Sequence, residues 1–246
     1  MKFCITFAAL AISSISLADE VSVAVSTNFI APMQKIAADF EEETGHKAQL
    51  AFGATGKFYT QIKNGAPFEI LLAADEKTPE KMEKEGIGVA NSRFTYAIGR
   101  LVLWSAEPHV VDPEGKVLRN GQFEHLALAN PKLAPYGAAA MEVMENLGLQ
   151  HDLQPKFVLG ENIAQTQQFV STGNAEMGFI ALSQVFKDGR ITNGSAWIVP
   201  SNLYRKIRQD AIMLDKGKEN PSADSFMKYL HSEKAIVVIR RYGYEI

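Results

Sequence analysis

Apolar and polar positions fall in short blocks whose period switches between that of a strand and that of a helix. Val21 to Val25 is an apolar run that reads as a buried strand, followed by the polar turn Ser26-Thr27-Asn28 and a helix with Pro32 near its first turn. Met33, Ile36, Ala37 and Phe40 recur at helical spacing, and Gly45 is the stop. A second strand, Gln49 to Phe52, leads through Gly53-Ala54-Thr55-Gly56 into a helix with Phe58 and Ile62 on its apolar side and Gly65 as its cap. Ile70 to Ala74 is again an apolar strand. Thr78-Pro79-Glu80 then supplies an N-cap, a proline at the first helical position and a first-turn acid for the next helix.

A second series begins with the strands Leu101 to Trp104 and His125 to Ala129, and runs through Asn130-Pro131 and Pro135-Tyr136-Gly137 into a helix over Ala138 to Leu147. Asn162, with Gln165 three residues on, predicts a helix start with an amide variant of the capping box. Gly173 ends that helix before a strand over Gly178 to Leu182, and Ser222 to Arg241 reads as two helical stretches joined near Ser232. Alternation of this kind predicts α/β layers with mostly parallel strands, whose ligands bind beyond the carboxyl ends of the strands. The polar turns between strand and helix are therefore the places to look for a site. No repeat, low-complexity tract or long linker interrupts the pattern, so two intimately connected lobes are expected.

The first 18 residues change the picture. Lys2, the apolar stretch Phe3 to Ile12, and the small residues Ser13, Ser14, Ser16 and Ala18 before Asp19-Glu20 have the order of a secretory signal peptide. The apolar stretch is short of the roughly 20 residues that span a bilayer, and no later segment is apolar enough, so no direct membrane insertion is expected. Cleavage after Ala18 would release a chain beginning at Asp19 into the periplasm, taking with it Cys4, the one cysteine. The mature chain then has no thiol for a disulfide, a metal or nucleophilic catalysis. With 25 basic and 28 acidic residues the formal net charge is −3, and losing Lys2 makes it one unit more negative. Such a balance argues against nucleic-acid binding. It also means that an anion would be held by local dipoles and hydrogen bonds against the overall field.

Three helix-opening turns present short donors and free backbone N–H groups: Ser26-Thr27-Asn28, Ala54-Thr55-Gly56 and Gly160-Glu161-Asn162-Ile163. Helix N-termini carry unpaired N–H groups and the positive end of the helix dipole, so they attract anions without formal charge. Each turn taken singly reads rather as an ordinary helix cap. Their joint occurrence points to an oxyanion site. Gly53 to Lys57 lacks the spacing of a phosphate-binding loop, and the five histidines lack metal-ligand spacing. No serine sits in a nucleophile elbow. Lys57, Arg93 and Arg205 read as solvated surface charge, with steering of an anion as the alternative.

The segments Ser26-Thr27-Asn28, Phe52-Gly53-Ala54-Thr55-Gly56, Gln61-Ile62-Lys63-Asn64-Gly65-Ala66-Pro67, Ala73-Ala74-Asp75, Leu101-Val102-Leu103, Ala129-Asn130-Pro131, Ala134-Pro135-Tyr136-Gly137 and Tyr242-Gly243-Tyr244 occur in an order that resembles the periplasmic molybdate-binding protein family. The resemblance covers nearly the whole mature chain. It implies a type II periplasmic binding fold of two α/β lobes with a ligand cleft between them. One lobe is expected to comprise residues 19–99 and 200–246, and the other 100–199. It further implies an oxyanion, molybdate or tungstate, bound by Thr27, Asn28, Thr55, Tyr136 and Ile163, the last through its backbone N–H. No protein atom would ligate the metal, no cofactor would be needed, and a monomer would deliver the anion to an inner-membrane ABC permease.

This chain departs from the commoner pattern of the family in two ways. It has Thr27-Asn28 where many members have a serine, and Ala181 where many have a tyrosine after the late strand, while Tyr136 replaces a small residue. The expectation is that a phenol donor has moved from one loop to the other. Molybdate, tungstate and sulfate are proton-free near neutral pH and only accept hydrogen bonds, whereas phosphate keeps a proton that favours a nearby acceptor. A buried carboxylate would repel a dianion, so Asp75 and Glu161, close in sequence to the proposed loops, are expected to point away. Left open are a carrier of sulfate or another oxyanion, an exported enzyme on the same fold, and a sensor subunit.

Overall fold

The computed structural model describes residues 19–120 and 122–246; the leader reading of residues 1–18 lies outside them. The chain first builds β1 (Glu20–Ser26), α1 (Ile30–Thr44), β2 (Lys47–Gly53), α2 (Thr55–Lys63), β3 (Ile70–Leu72), α3 (Lys77–Lys84) and β4 (Phe94–Gly99). There follow β5 (Leu101–Ser105), α4 (Val117–Asn120), β6 (Leu126–Ala129), α5 (Pro135–Asn146), α6 (Gln150–Leu153), β7 (Phe157–Gly160), α7 (Ile163–Ser171) and β8 (Met177–Ala181). The hairpin β9 (Phe186–Lys187) and β10 (Arg190–Ile191) precedes β11 (Ser195–Ile198), β12 (Ile207–Met213), α8 (Pro221–Tyr229) and α9 (Glu233–Arg241). One sheet has the order β2-β1-β3-β12-β4 and the other β11-β5-β8-β6-β7.

The apolar run of β1 is buried on both faces because helices cover both sides of its sheet. Val21, Val23 and Val25 join Met33, Ile36 and Phe40 of α1, while Ala24, Leu71 and Ile212 face Phe58 and Ile62 of α2 and Met82 of α3. Edge-on contacts of Phe40 with Phe226 and Tyr229 tie α8 to α1. The second sheet has its own core around Leu103, Trp104, Phe179, Ile180 and Met144. Gly45 ends α1 in the left-handed conformation (φ 74°), a position that favours glycine.

Strand direction differs from the sequence expectation. β1 is parallel to β2 and β3, and β6 to β7 and β8, but β12 is antiparallel to β3 and β4, and β5 to β8 and β11. The antiparallel members are the crossing strands. Only Arg100 separates β4 from β5, and residues 199–206 carry β11 back to β12, so each strand enters its sheet against the direction set by the strand–helix units. β4, β11 and β12 were not anticipated from the hydrophobic pattern. Two helix starts also move. α5 begins at Pro135 rather than Ala138, and α3 begins at Lys77, with the Asp75 carboxylate rather than Thr78 accepting the first-turn bonds, from the Thr78 N–H and hydroxyl.

Arg93, read from sequence as solvated, is tied instead to the inserted strand: its guanidinium bonds the carboxylate of Asp210, which is wholly buried and also accepts from the Thr95 hydroxyl at 2.7 Å. Removing one partner of a buried pair leaves an uncompensated charge. Arg93→Met should lower the unfolding free energy by about 3–5 kcal/mol. Urea titration followed by circular dichroism checks this, and a loss below about 1 kcal/mol, the level of a surface pair, would show that Asp210 is solvated without Arg93.

Candidate functional site

Strand register brings the polar turns together. Ser26 at the end of β1 pairs with Gly53 at the end of β2, so the turns Ser26-Thr27-Asn28 and Ala54-Thr55 lie side by side. In the other sheet Ala129 at the end of β6 pairs with Gly160 at the end of β7, which aligns the starts of α5 and α7. The two pairs of turns face each other across one small enclosed space with a cavity volume of about 10 Å³, room for roughly one water-sized sphere and far below the roughly 300–1,000 Å³ of pockets for drug-sized ligands. Thr27, Asn28, Thr55, Tyr136 and Ile163 all line it, with Ser26, Gly53, Ala54, Ala74, Ala134, Pro135 and Asn162. None of the lining residues is charged, and Thr55, Asn28, Tyr136 and Ile163 are at most 3% exposed.

Each α-helix that opens on this space disposes of its early N–H groups and leaves one. In α2 the Gly56 N–H reaches across to the Leu133 carbonyl at 3.0 Å and the Lys57 N–H turns back to Ala54, leaving that of Thr55. In α5, Pro135 has no N–H and that of Gly137 goes to the Ala134 carbonyl, leaving Tyr136. In α7 the Asn162 side chain accepts from Ala164 and Gln165, leaving Ile163. The predicted amide variant of the capping box is present one residue off, because the Gln165 side chain accepts from the Glu161 N–H at 2.7 Å. A first-residue N–H has no acceptor inside its own helix. Thr27 and Asn28 occupy the first two positions of a short 3-10 turn and add a fourth start.

The hydroxyls and amides are organised behind these N–H groups. Thr55 Oγ1 accepts from the Ala74 N–H at 3.0 Å and lies 2.6 Å from Ser26 Oγ. With Ser26 donating, both lone pairs of Thr55 are filled and its single proton is left for the enclosed space. Asn28 donates both Nδ2 protons away from it, to Gln209 Oε1 at 2.8 Å and to the Tyr244 hydroxyl at 2.9 Å. The main-chain carbonyl of Asn28 accepts from the Ser183 hydroxyl in the other lobe. The Tyr136 hydroxyl accepts from Gln209 Nε2 at 2.9 Å. Tyr136 therefore lines the site while its phenol oxygen is held by Gln209 of the first lobe, so the geometry does not display the expected relocation of a phenol donor toward the ligand. Burial raises the pKa of Tyr136 and of Tyr96 well above the ordinary phenol value and that of Tyr244 to about 12, so all three remain protonated donors.

Neither carboxylate singled out from sequence borders the enclosed space. Asp75 faces an outer crevice, its pKa raised by burial and held back by the two bonds from Thr78. Glu161 pairs at 2.6 Å with Lys57 across the mouth of the cleft, both side chains nearly half exposed. Lys57 is thus an interlobe contact rather than a free surface charge, of the modest strength of exposed pairs. Sequence reading missed Ser183, Gln209 and Tyr96, and met Tyr244 only as part of a motif. Gln209 and Tyr96 lie on strands absent from the pattern reading, and Ser183 follows Ala181 by two residues in the loop where a tyrosine was sought. Among the described residues there is no cluster of side chains suited to a metal ion.

Two α/β lobes that enclose a small space lined by uncharged donors define a binding protein for a small anion-sized solute. The family described as bacterial extracellular solute-binding protein matches residues 21–245, and the chain belongs to it. It is 60% identical over 227 residues to the molybdate-binding protein ModA of Azotobacter vinelandii, covering 92% of this chain and 90% of that protein. Against the molybdate-binding protein ModA of Rhodobacter capsulatus the identity is 50% over 228 residues, covering 92% and 88%. Among solved structures, the Azotobacter vinelandii periplasmic molybdate-binding protein superposes with a TM-score of 0.89 at 39% identity, covering 92% of this chain and 99% of that one.

The start of α5 is held against the end of β6 by Gly137, where a Cβ would overlap the Ala129 carbonyl oxygen. Gly137→Ala should push the first turn of α5 outward and destabilise the fold by about 1–3 kcal/mol, as overpacking does. Thermal unfolding of the purified variant checks this, and an unchanged melting temperature would show that the turn has slack.

Proposed function

We propose that this protein captures molybdate, and tungstate with it, between its lobes and delivers the anion to an ABC-type permease. The observation that carries the reading is the enclosed, carboxylate-free space onto which leftover helix-start N–H groups converge. Thr27, Asn28, Thr55, Tyr136 and Ile163 are the residues assigned to the anion. The first three offer N–H groups and hydroxyl from one lobe, and the last two offer first-turn N–H groups from the other. A proton-free tetrahedral dianion accepts hydrogen bonds at every corner and offers none, which suits a lining rich in donors. A monobasic anion with its own proton would seek an acceptor. Molybdenum enters only as its oxyanion, and no cofactor takes part.

The two lobes, residues 19–99 with 200–246 and residues 100–199, would open about the crossings at Arg100 and 199–206. Ligand contacts made from both sides then bias the closed state. Among the described residues no helix is long and apolar enough to cross a membrane. The signal-like leader and the periplasmic relative support export to the periplasm, where the monomer would meet its permease partner.

Titration calorimetry with molybdate, tungstate, sulfate and phosphate tests the reading directly. Tight binding of the two group-six anions and much weaker binding of phosphate are expected; absence of tight binding by either group-six anion refutes it. Thr55→Ala should weaken molybdate binding by about 1.5–3 kcal/mol, the worth of a hydrogen bond to a charged group. Wild-type affinity in that variant would remove Thr55 from the site.

A further inference from the structure

The buried amide of Gln209 touches no part of the enclosed space, yet it joins residues on both sides of it. Gln209 Oε1 accepts from Asn28 Nδ2 at 2.8 Å and lies 3.0 Å from the Tyr96 hydroxyl, while Nε2 donates to Tyr136 at 2.9 Å. Asn28 and Tyr136 belong to different lobes, and both line the space. Gln209 also stands where the chain crosses between them. It lies near the start of β12, the strand entered after the second crossing, at a register shift between Gln209 and Asp210. Gly99, last residue before the first crossing, is so close that a Cβ there would overlap both the Tyr136 hydroxyl and Gln209 Nε2. Rotation about the crossings displaces atoms in proportion to their distance from them, so a contact beside a crossing keeps its partners together and fixes the angle from which the outer walls swing. Around it, Ser183 of the second lobe donates to the Asn28 carbonyl at 2.8 Å, and Tyr244 of the first lobe lies 2.9 Å from Ser183 Oγ.

We propose that Gln209 is a positioning residue for capture: its amide holds the Asn28 side chain and the Tyr136 phenol at once, so the anion-gripping turn of one lobe and the helix start of the other are set to each other across the cleft. The inference rests on the reading of an oxyanion bound between the lobes. Loss of the amide leaves Asn28 and Tyr136 without their shared partner and loosens both walls of the cage. The titratable groups that face Gln209 are the phenols of Tyr96, Tyr136 and Tyr244, with Asp210 and Asp75 acting on Tyr96 from beyond, and Arg93 paired to Asp210. The phenols stay neutral below their raised pKa values. In wild type, any contribution from Asp75 is measured by the control.

The experiment compares wild type, Gln209→Glu and Gln209→Met by calorimetric titration with molybdate at about pH 8 and about pH 5.5. Ionised, the new carboxylate opposes the dianion; protonated, it regains an O–H for Tyr136 and a carbonyl for Asn28. Reciprocity makes the loss in affinity equal to the shift in its pKa, so a two-unit shift gives about 100-fold weaker binding at the higher pH. At least about 10-fold should return at the lower pH, where a buried carboxyl with a raised pKa is protonated. Wild type should vary less than about 3-fold, since its network holds no group that titrates strongly there. Gln209→Met should bind about 10-fold more weakly or worse at both pH values, and adding Tyr136→Phe to it should cost nothing further, because the two residues act as one unit. Small-angle scattering should show Gln209→Met remaining more open than wild type in saturating molybdate. Wild-type affinity in Gln209→Met, additive losses in the double variant, or weak binding by Gln209→Glu with no recovery at low pH would each overturn the inference. Failure of wild type itself to bind molybdate would instead overturn the functional reading.

Discussion

A helix cannot satisfy the N–H groups of its own first turn, and in this fold that deficit is concentrated in one place. Three α-helices and a short 3-10 turn begin at the edge of the same small space. In each α-helix a neighbouring carbonyl, a proline or a capping amide accounts for the other early positions, so that a single N–H is left over. Donors left unpaired in a dry space are costly, by about 1–3 kcal/mol each. The closed arrangement therefore favours an occupant that accepts from several directions at once. Charge is not needed for this, which resolves how an acidic chain can hold an anion.

The rest of the architecture serves to aim those helix starts. Parallel strands deliver their following helices to one edge of each sheet, and register aligns the turns in pairs. The crossing strands, inserted antiparallel, join the two sheets so that the edges face each other. Direct interlobe bonds then cluster round the space: Gly56 N–H to Leu133, Ser183 to Asn28, and Gln209 to Tyr136, with Lys57 and Glu161 at the mouth. The Ser183–Asn28 and Gln209–Tyr136 contacts are buried and neutral, whereas the ion pairs that join the lobes, Lys57–Glu161, Arg241–Asp188 and Arg205–Glu142, lie at more exposed positions. Charged groups near the cleft are spent on one another or lie outside it, which keeps the enclosed lining free of any carboxylate.

Much of this was legible in the sequence because it depends on neighbours along the chain. The apolar run of β1, the helical spacing of Met33, Ile36 and Phe40, the stop at Gly45 and the cap at Asn162 are local matters of period and hydrogen bonding, and they appear as read. The turns that carry Thr27, Thr55 and Ile163 were visible for the same reason, since a strand that ends in short polar residues before a helix announces a free helix start. The start of α5 was placed three residues late because Tyr136 and Gly137 are poor helix formers by propensity, a preference overridden by packing against β6.

Tertiary structure alone decided what depends on residues far apart in the chain. The direction of β12 and the burial of Asp210 with Arg93 follow from a strand that returns to the first sheet after a whole lobe has intervened. The use of the Asn28 amide and the Tyr136 phenol follows from Gln209, 181 residues from the former and 73 from the latter. Sequence fixes which donors exist, because that is a property of residue type and local backbone. Which of them are already paired, and which remain for a ligand, is set by distance in space, and no local pattern encodes that.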